Sequence, residues 1–150
     1  MLVDSLDQAE AGHVVRILVV GPHGIGKTRL LAEVGRVAFE RGATVRYARG
    51  DGPVPQGTAT GAALLVYDDL QEATLDSLET LTAGVEAAGP PALLLFAAVE
   101  SELSQAQRFL VRGLADVRLQ LRPLATDEVA TLVRLYVPDA QLPQALAQVE

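Results

Sequence analysis

The hydrophobic pattern of the chain alternates short apolar stretches with segments whose apolar residues recur every three or four positions. Residues 14–20, 62–67 and 92–99 are nearly all apolar, and shorter strand-like stretches follow at 43–48 and 117–121. Such runs are typical of strands buried in a parallel sheet. Helical spacing covers residues 27–41, 71–88, 103–114 and 126–137. The alternation predicts a three-layer α/β sandwich, a five-stranded parallel sheet with helices on both faces.

A phosphate-binding motif follows the first of these strands. Residues 21–28 fit G-x-x-x-x-G-K-[ST] and read Gly21, Pro22, His23, Gly24, Ile25, Gly26, Lys27 and Thr28. The glycines allow a tight turn close to an anion, and the following helix points the positive end of its dipole at it. Lys27 would reach the β- and γ-phosphates, and the Thr28 hydroxyl would bind Mg²⁺.

The alternative for residues 21–28 is a glycine-rich turn that binds nothing. A chance match in a chain of this length has a probability on the order of 1% or less from average residue usage. Lys27 is also the only lysine of the chain. The motif, with a strand before it and a helix after it, therefore favours phosphate binding.

Two acidic residues end the apolar run of residues 62–67. Ligands bind at the carboxyl ends of the strands in an open α/β sheet, so Asp68 and Asp69 are predicted to face the same crevice as the motif. This is the Walker B pattern, in which Asp68 would hold Mg²⁺ and Asp69 would orient the attacking water. The alternative is that the pair caps the next helix, because aspartate is a good N-cap residue.

The strand predicted at 92–99 follows this acidic pair along the chain and has a polar end, at Glu100 and Ser101. That order is typical of the P-loop proteins in which this strand lies between the phosphate-loop strand and the Walker B strand. With the strands numbered along the chain, the predicted order across the sheet is 5-1-4-3-2.

Composition narrows the classes of partner and compartment. The formal net charge is −7, which disfavours direct binding to nucleic acid and to anionic membranes. Without cysteine, neither disulfides nor cysteine-ligated zinc can form. We expect a soluble cytoplasmic protein, because no apolar run is long enough to span a membrane and residues 1–12 do not resemble a secretory signal. His13 and His23 have no second histidine at metal-binding spacing.

Three segments together resemble the AAA-type ATPase domains of STAND signalling ATPases, including those of large bacterial transcriptional regulators. They are the phosphate loop with its leucine-rich helix, residues 64–78 around the two aspartates, and residues 121–129, which read Leu-Arg-Pro-Leu-Ala-Thr-Asp-Glu-Val. The resemblance covers about residues 14–137. It implies a P-loop NTPase core at 13–122 and the start of a helical lid at 123–150, preceded at 1–12 by a flexible end or one short helix.

The chain departs from that family at identifiable places. The Gly-Arg-Glu box that the family carries before the phosphate loop is missing, and the strand after Walker B ends at Glu100, where the family has a polar or basic sensor of the γ-phosphate. The arginine that speeds hydrolysis would then come from self-association or from a protein partner. Arg108 and Arg112 lie where AAA proteins place such a residue.

The resemblance implies a domain that binds ATP with Mg²⁺, hydrolyses it slowly and acts as a regulatory switch. Lys27 and Asp69 would be the catalytic residues. The alternative is a nucleotide-binding interaction module that does not hydrolyse. A GTPase is disfavoured because no Asn-Lys-x-Asp box exists. A P-loop kinase would need a lid with several arginines, and a solvated helix face explains Arg108 and Arg112 better.

Overall fold

A computed structural model describes residues 1–52, 63–87, 89 and 92–136. The sheet has five parallel strands, and their order across the sheet is β2-β3-β4-β1-β5. Their bounds are β1 Val14–Val20, β2 Thr44–Arg49, β3 Ala63–Asp68, β4 Ala92–Ala98 and β5 Val117–Gln120. Read from the other edge, this is the predicted order 5-1-4-3-2, so the predicted fold class is confirmed.

The register of the sheet brings the polar strand ends to one edge. β1 and β4 pair from Val14 with Ala92 to Val20 with Ala98, so these two strands end at the same level. β3 pairs with β4 up to Tyr67 and Phe96. Every residue of β4 is buried, because the strand lies in the middle of the sheet with helices on both faces. The segments that follow β1, β3 and β4 therefore meet at one edge.

The described residues form five α-helices, and two short 3-10 turns follow β3 and β4. The helices are α1 Leu2–Glu10, α2 Lys27–Glu40, α3 Leu75–Glu86, α4 Gln105–Gly113 and α5 Thr126–Tyr136. One hydrophobic core lies between the sheet and helices α3 and α4. A second lies between the sheet and helices α1 and α2. Helices on both faces agree with the predicted three-layer architecture.

Two predicted helices begin later than their hydrophobic spacing indicated, because a side chain fixes each start. The helix predicted at 71–88 is a 3-10 turn at Leu70–Glu72 followed by α3, whose N-cap Thr74 accepts a hydrogen bond from the Ser77 N–H. The helix predicted at 103–114 begins at Gln105, after Ser104 and Gln107 form a reciprocal capping box.

The hydrophobic spacing of residues 103–114 predicts that Leu103, Ala106, Leu110 and Leu114 face inward. Leu103 and Leu114 are buried and Leu110 is half-buried, as the spacing indicated, but Ala106 is exposed and Val111 is fully buried. The later start of α4 explains the difference, because Leu103 lies before the helix and does not set its helical phase.

The N-terminal residues form α1, so the flexible end predicted for residues 1–12 is replaced by its alternative, a short helix. Leu6 and Ala9 are buried against the sheet, with 3% and 2% of their surface exposed. Asp7 accepts a hydrogen bond of 2.6 Å from Arg41, which follows α2. These contacts attach the helix to the second core.

The predicted division into a core at 13–122 and a lid beginning at 123–150 stays a prediction. α5 lies where the lid was predicted to begin, and residues 53–62 and 137–150 lie outside the described residues. In the described part of the chain, no helix is both long and apolar enough to cross a membrane.

A buried phenylalanine, Phe96, and an exposed one, Phe109, allow a matched test of stability. Phe96 is fully buried in β4 and stacks on Tyr67, with 5.5 Å between ring centroids, whereas Phe109 on α4 is 81% exposed. We expect Phe96→Ala to lower the free energy of unfolding by about 3–5 kcal/mol. Phe109→Ala should change it by less than about 0.5 kcal/mol. Urea unfolding measures both, and equal losses would contradict the fold.

Candidate functional site

The phosphate-loop residues connect β1 to α2, as the motif predicted. Gly26 has φ 100°, a left-handed conformation that disfavours any residue with a Cβ, and it is the N-cap of α2. At Gly21, an added Cβ would lie 3.0 Å from Ile25 Cγ2 and 3.3 Å from the Leu121 carbonyl oxygen. A side chain at position 26 would therefore strain the backbone, and one at position 21 would displace Ile25 or Leu121 by a few tenths of an ångström.

Lys27 is buried at the start of α2, with only 5% of its surface exposed. Its ammonium group donates hydrogen bonds of 2.9 Å to the carbonyl oxygens of Gly21 and Pro22. Both of these partners are neutral, and an ammonium has three N–H donors. In the part of the chain that the structure describes, this buried cation has no acidic partner, and burial of an uncompensated charge is costly, so the ammonium is suited to binding an anion. The loop therefore fits a phosphate group.

Thr28 and Asp68 come together across the site, although forty residues separate them along the chain. The Thr28 hydroxyl donates a hydrogen bond of 2.6 Å to Asp68 Oδ2, and Asp68 is fully buried. Hydroxyl and carboxylate oxygens are the ligands that Mg²⁺ prefers, usually alongside waters and phosphate oxygens. The pair therefore fits the predicted Mg²⁺ site, with Thr28 and Asp68 as its protein ligands.

Asp68 has further partners that fix its orientation. Its Oδ1 accepts the Asp69 N–H at 2.9 Å, and its Oδ2 also accepts the Tyr47 hydroxyl at 3.2 Å. Partial burial, and then the Asp68 carboxylate, raise the pKa of Tyr47, so this hydroxyl stays protonated and donates. Sequence reasoning missed Tyr47, which lies on the edge strand β2.

Asp69 is held by two side chains that sequence reasoning also missed. Its Oδ2 accepts a hydrogen bond of 2.7 Å from Arg49 Nε, and its Oδ1 accepts one of 3.0 Å from Gln71 Nε2. Gln71 in turn accepts the Val99 N–H, at 3.0 Å, and so links the ends of β3 and β4. Asp69 has φ 52°, the only left-handed non-glycine residue among those described.

The alternative interpretation of the aspartate pair, a cap for the following helix, is wrong. Thr74 supplies the side-chain cap of α3, and the Asp69 side chain makes no capping hydrogen bond to the 3-10 turn that it precedes. At the end of β3, Asp68 is instead held by Thr28 of the phosphate loop, and Asp69 is held by Arg49 and Gln71.

Glu100, at the predicted sensor position, is held by arginines. Arg118 of β5 donates to both carboxylate oxygens, from Nη2 at 2.6 Å and from Nε at 3.3 Å. A third contact comes from Arg112 at 3.5 Å. The hydrogen bonds from Arg118 lower the pKa of Glu100, so the carboxylate is charged at neutral pH. A carboxylate at this position would repel phosphate, and the positive charges of Arg118 and Arg112 offset that repulsion.

Two other predicted residues have partners of their own. His23 of the phosphate loop lies 2.6 Å from Glu102, in the turn after β4, measured from Nε2 to Oε1. Arg108 donates to the backbone carbonyls of Glu100 and Leu103, whereas Arg112 is 61% exposed. Of the two arginines predicted to act on a neighbour, Arg112 is therefore the more accessible.

Solved structures share this arrangement of strands and helices. The Thermotoga maritima RuvB Holliday junction branch migration motor matches with a TM-score of 0.60 and 21% identity over 98% of this chain and 49% of its own. The Aeropyrum pernix ORC1 protein, solved in complex with DNA, matches with a TM-score of 0.61 and 17% identity over 89% of this chain and 46% of its own. Cdc6p from Pyrobaculum aerophilum matches with a TM-score of 0.60 and 16% identity over 88% of this chain and 46% of its own.

The likeness to these structures is one of fold. This chain has the P-loop NTPase fold. It spans about half the length of the solved structures that it matches. No family model matches the sequence, and no curated protein matches it significantly.

The ion pair of Glu100 predicts a specific pH dependence. Because the folded-state pKa of Glu100 lies below its value of about 4.3 in unfolded chains, its contribution is complete above that pH and is lost as the pH falls through the folded pKa. We expect Glu100→Gln to be less stable than the wild type at pH 6 and to approach it at pH 3.

Urea unfolding at several pH values measures this difference. The matched control is Glu79→Gln, at an exposed position on α3, which should follow the wild type across the range. A stability loss for Glu100→Gln that is the same at pH 3 and pH 6 would contradict the assigned ion pair.

Proposed function

We propose that this chain is an AAA-type domain that binds ATP with Mg²⁺, hydrolyses it slowly and acts as a regulatory switch. The observation that carries the proposal is the pair of buried charges beside the phosphate loop. Among the residues that the structure describes, Lys27 has only carbonyl partners, and Asp68 is hydrogen-bonded to Thr28. An anion would give Lys27 a partner of opposite charge, and a divalent cation would give one to Asp68.

The residues have separate roles in this proposal. Residues 21–28 bind the phosphates through backbone N–H groups and Lys27, and Thr28 and Asp68 hold Mg²⁺. The ion supplies charge stabilisation at the phosphate oxygens. Asp69 orients the attacking water and accepts its proton, and positioning and electrostatics provide most of the acceleration.

Slow hydrolysis is supported by the contacts of Asp69. Both of its carboxylate oxygens are engaged, one by Arg49 and one by Gln71. These two hydrogen bonds orient the carboxylate toward Arg49 and Gln71, and a reorientation toward an attacking water would break at least one of them.

Faster turnover would need an arginine from outside the chain, and self-association or a protein partner is the proposed source. An arginine supplied in trans accelerates phosphoryl transfer by 10³ to 10⁵ in related mechanisms. Arg112 is exposed on α4, next to the exposed side chain of Phe109, so it is accessible to a second copy.

Membership of the STAND branch is proposed on the sequence resemblance alone. No direct contact with nucleic acid is proposed, because the chain is acidic.

The alternative is a nucleotide-binding module that does not hydrolyse. Glu100 favours it, because a carboxylate lies where related domains have a group that senses the γ-phosphate. Single-turnover measurement with an excess of protein over ATP separates the two functions: phosphate release supports the slow ATPase, and its absence with bound nucleotide supports the module.

Binding predicts a change in thermal stability. At one hundred times the Kd, Mg-ATP should add about 2.7 kcal/mol to the free energy of unfolding, measured as a rise in Tm. Lys27→Ala should remove most of this rise, because the buried ammonium is lost. The control is Arg36→Ala, which removes an exposed cation from the same helix and should keep the rise. A wild-type Tm that is unchanged at millimolar Mg-ATP would refute nucleotide binding.

The two aspartates predict different defects. Asp69→Asn should keep nucleotide binding and lose hydrolysis, because the amide cannot accept the proton. Asp68→Asn should weaken the dependence of binding on Mg²⁺, because a metal ligand loses its charge. Phosphate release and nucleotide affinity at several Mg²⁺ concentrations measure both, and unaltered turnover in both variants would make the Walker B assignment wrong.

A further inference from the structure

A hollow of about 200 Å³ lies between the start of the phosphate loop and the ends of β4 and β5. Gly21 and Pro22 line it on one side, and Glu100 and Gln120 line it on the other. The two loop residues are those whose carbonyl oxygens hold the Lys27 ammonium. Since the lysine of this motif reaches the β- and γ-phosphates, the hollow adjoins the place where a terminal phosphate would lie.

The charges around this hollow belong to one cluster. Arg118 donates to both carboxylate oxygens of Glu100, and its Nη2 also donates to Gln120 Oε1 at 2.7 Å. Arg112 approaches the same carboxylate at 3.5 Å. One carboxylate is thus shared by two guanidinium groups, so the cluster of Glu100, Arg112 and Arg118 carries a formal charge of about +1 at neutral pH.

The size of this charge depends on Arg118. Its paired N–H groups match a carboxylate in two parallel hydrogen bonds, which fixes the Glu100 side chain more strongly than the single long contact from Arg112. Without Arg118, the carboxylate beside the phosphate loop would keep only the exposed Arg112 as its partner. The formal charge of the cluster would fall from about +1 to about zero, so a terminal phosphate beside this carboxylate would be bound less tightly, and the change would count for more than in bulk water.

We propose that the Glu100–Arg118 pair sets the preference of the site for a nucleoside triphosphate over a diphosphate. Arg118 holds and neutralises Glu100, so the surface next to the phosphate loop accepts the additional charge of a third phosphate. Arg118 is a positioning residue that acts through Glu100. This inference rests on the proposed nucleotide binding and adds a determinant of which nucleotide is preferred.

The test is the ratio of Kd for ADP to Kd for ATP, measured by titration with fluorescent analogues in the presence of Mg²⁺. Arg118→Ala should lower this ratio by roughly tenfold, mainly by weakening the triphosphate. Glu100→Gln should raise the ratio, because it leaves the arginines without their carboxylate. The double variant, which keeps the net charge of the wild-type cluster, should return close to the wild-type ratio.

The matched controls are Arg36→Ala and Glu33→Gln, which make the same changes of charge in another arginine–glutamate pair. Arg36 donates to both Glu33 oxygens on the exposed side of α2. Neither control should alter the ratio by more than about twofold, because exposed charges at a distance are screened. Arg118→Lys keeps the positive charge and should keep most of the preference if Arg118→Ala proves too unstable to titrate.

The outcomes separate this inference from the proposed function. If the wild type binds neither nucleotide, the proposed function fails and the inference fails with it. If both nucleotides bind but Arg118→Ala and Glu100→Gln leave the ratio unchanged, only the inference is overturned. Equal changes in the Arg36 and Glu33 controls would also overturn it, because the effect would then come from net charge alone.

Discussion

Two buried charges of opposite sign determine what the crevice of this protein can contain. Lys27 and Asp68 are almost completely buried at the ends of β1 and β3, and their partners in the described structure are carbonyls, hydroxyls and a backbone N–H rather than each other. Burial of an ion costs several kcal/mol even after relaxation. A phosphate and a divalent cation would offset this cost on both sides, which is why nucleotide binding explains the site better than a structural role.

The strand order makes this separation of charges possible. β4 lies between β1 and β3, so the phosphate loop and the aspartates are one strand apart rather than adjacent. The end of β4 therefore becomes part of the site, and Gln71 fastens it to Asp69 through the Val99 N–H. The polar network follows from where the three strands end, and the apolar core of β4 keeps those ends in register.

The elements that the sequence predicted are those encoded locally. The phosphate loop has a fixed spacing, and the buried strands are short apolar runs. The order of the sheet was predicted from the P-loop proteins in which the strand after Walker B lies between the phosphate-loop strand and the Walker B strand. The contacts that hold Asp69 and Glu100 could not be predicted, because Arg49 and Arg118 lie on other strands and meet the acids only once the register is known. Helix starts were missed where a cap, such as Thr74 or Ser104, outweighed the hydrophobic spacing.

The most direct test of nucleotide binding is titration of the chain with fluorescent ATP and GTP analogues, with and without Mg²⁺. The account predicts saturable binding of the ATP analogue that is tighter with Mg²⁺, because Thr28 and Asp68 provide oxygen ligands for the ion. Adenosine, which has no phosphate, should fail to compete. An absence of saturable binding by either analogue, or equally good competition by adenosine, would contradict the assignment of the phosphate loop.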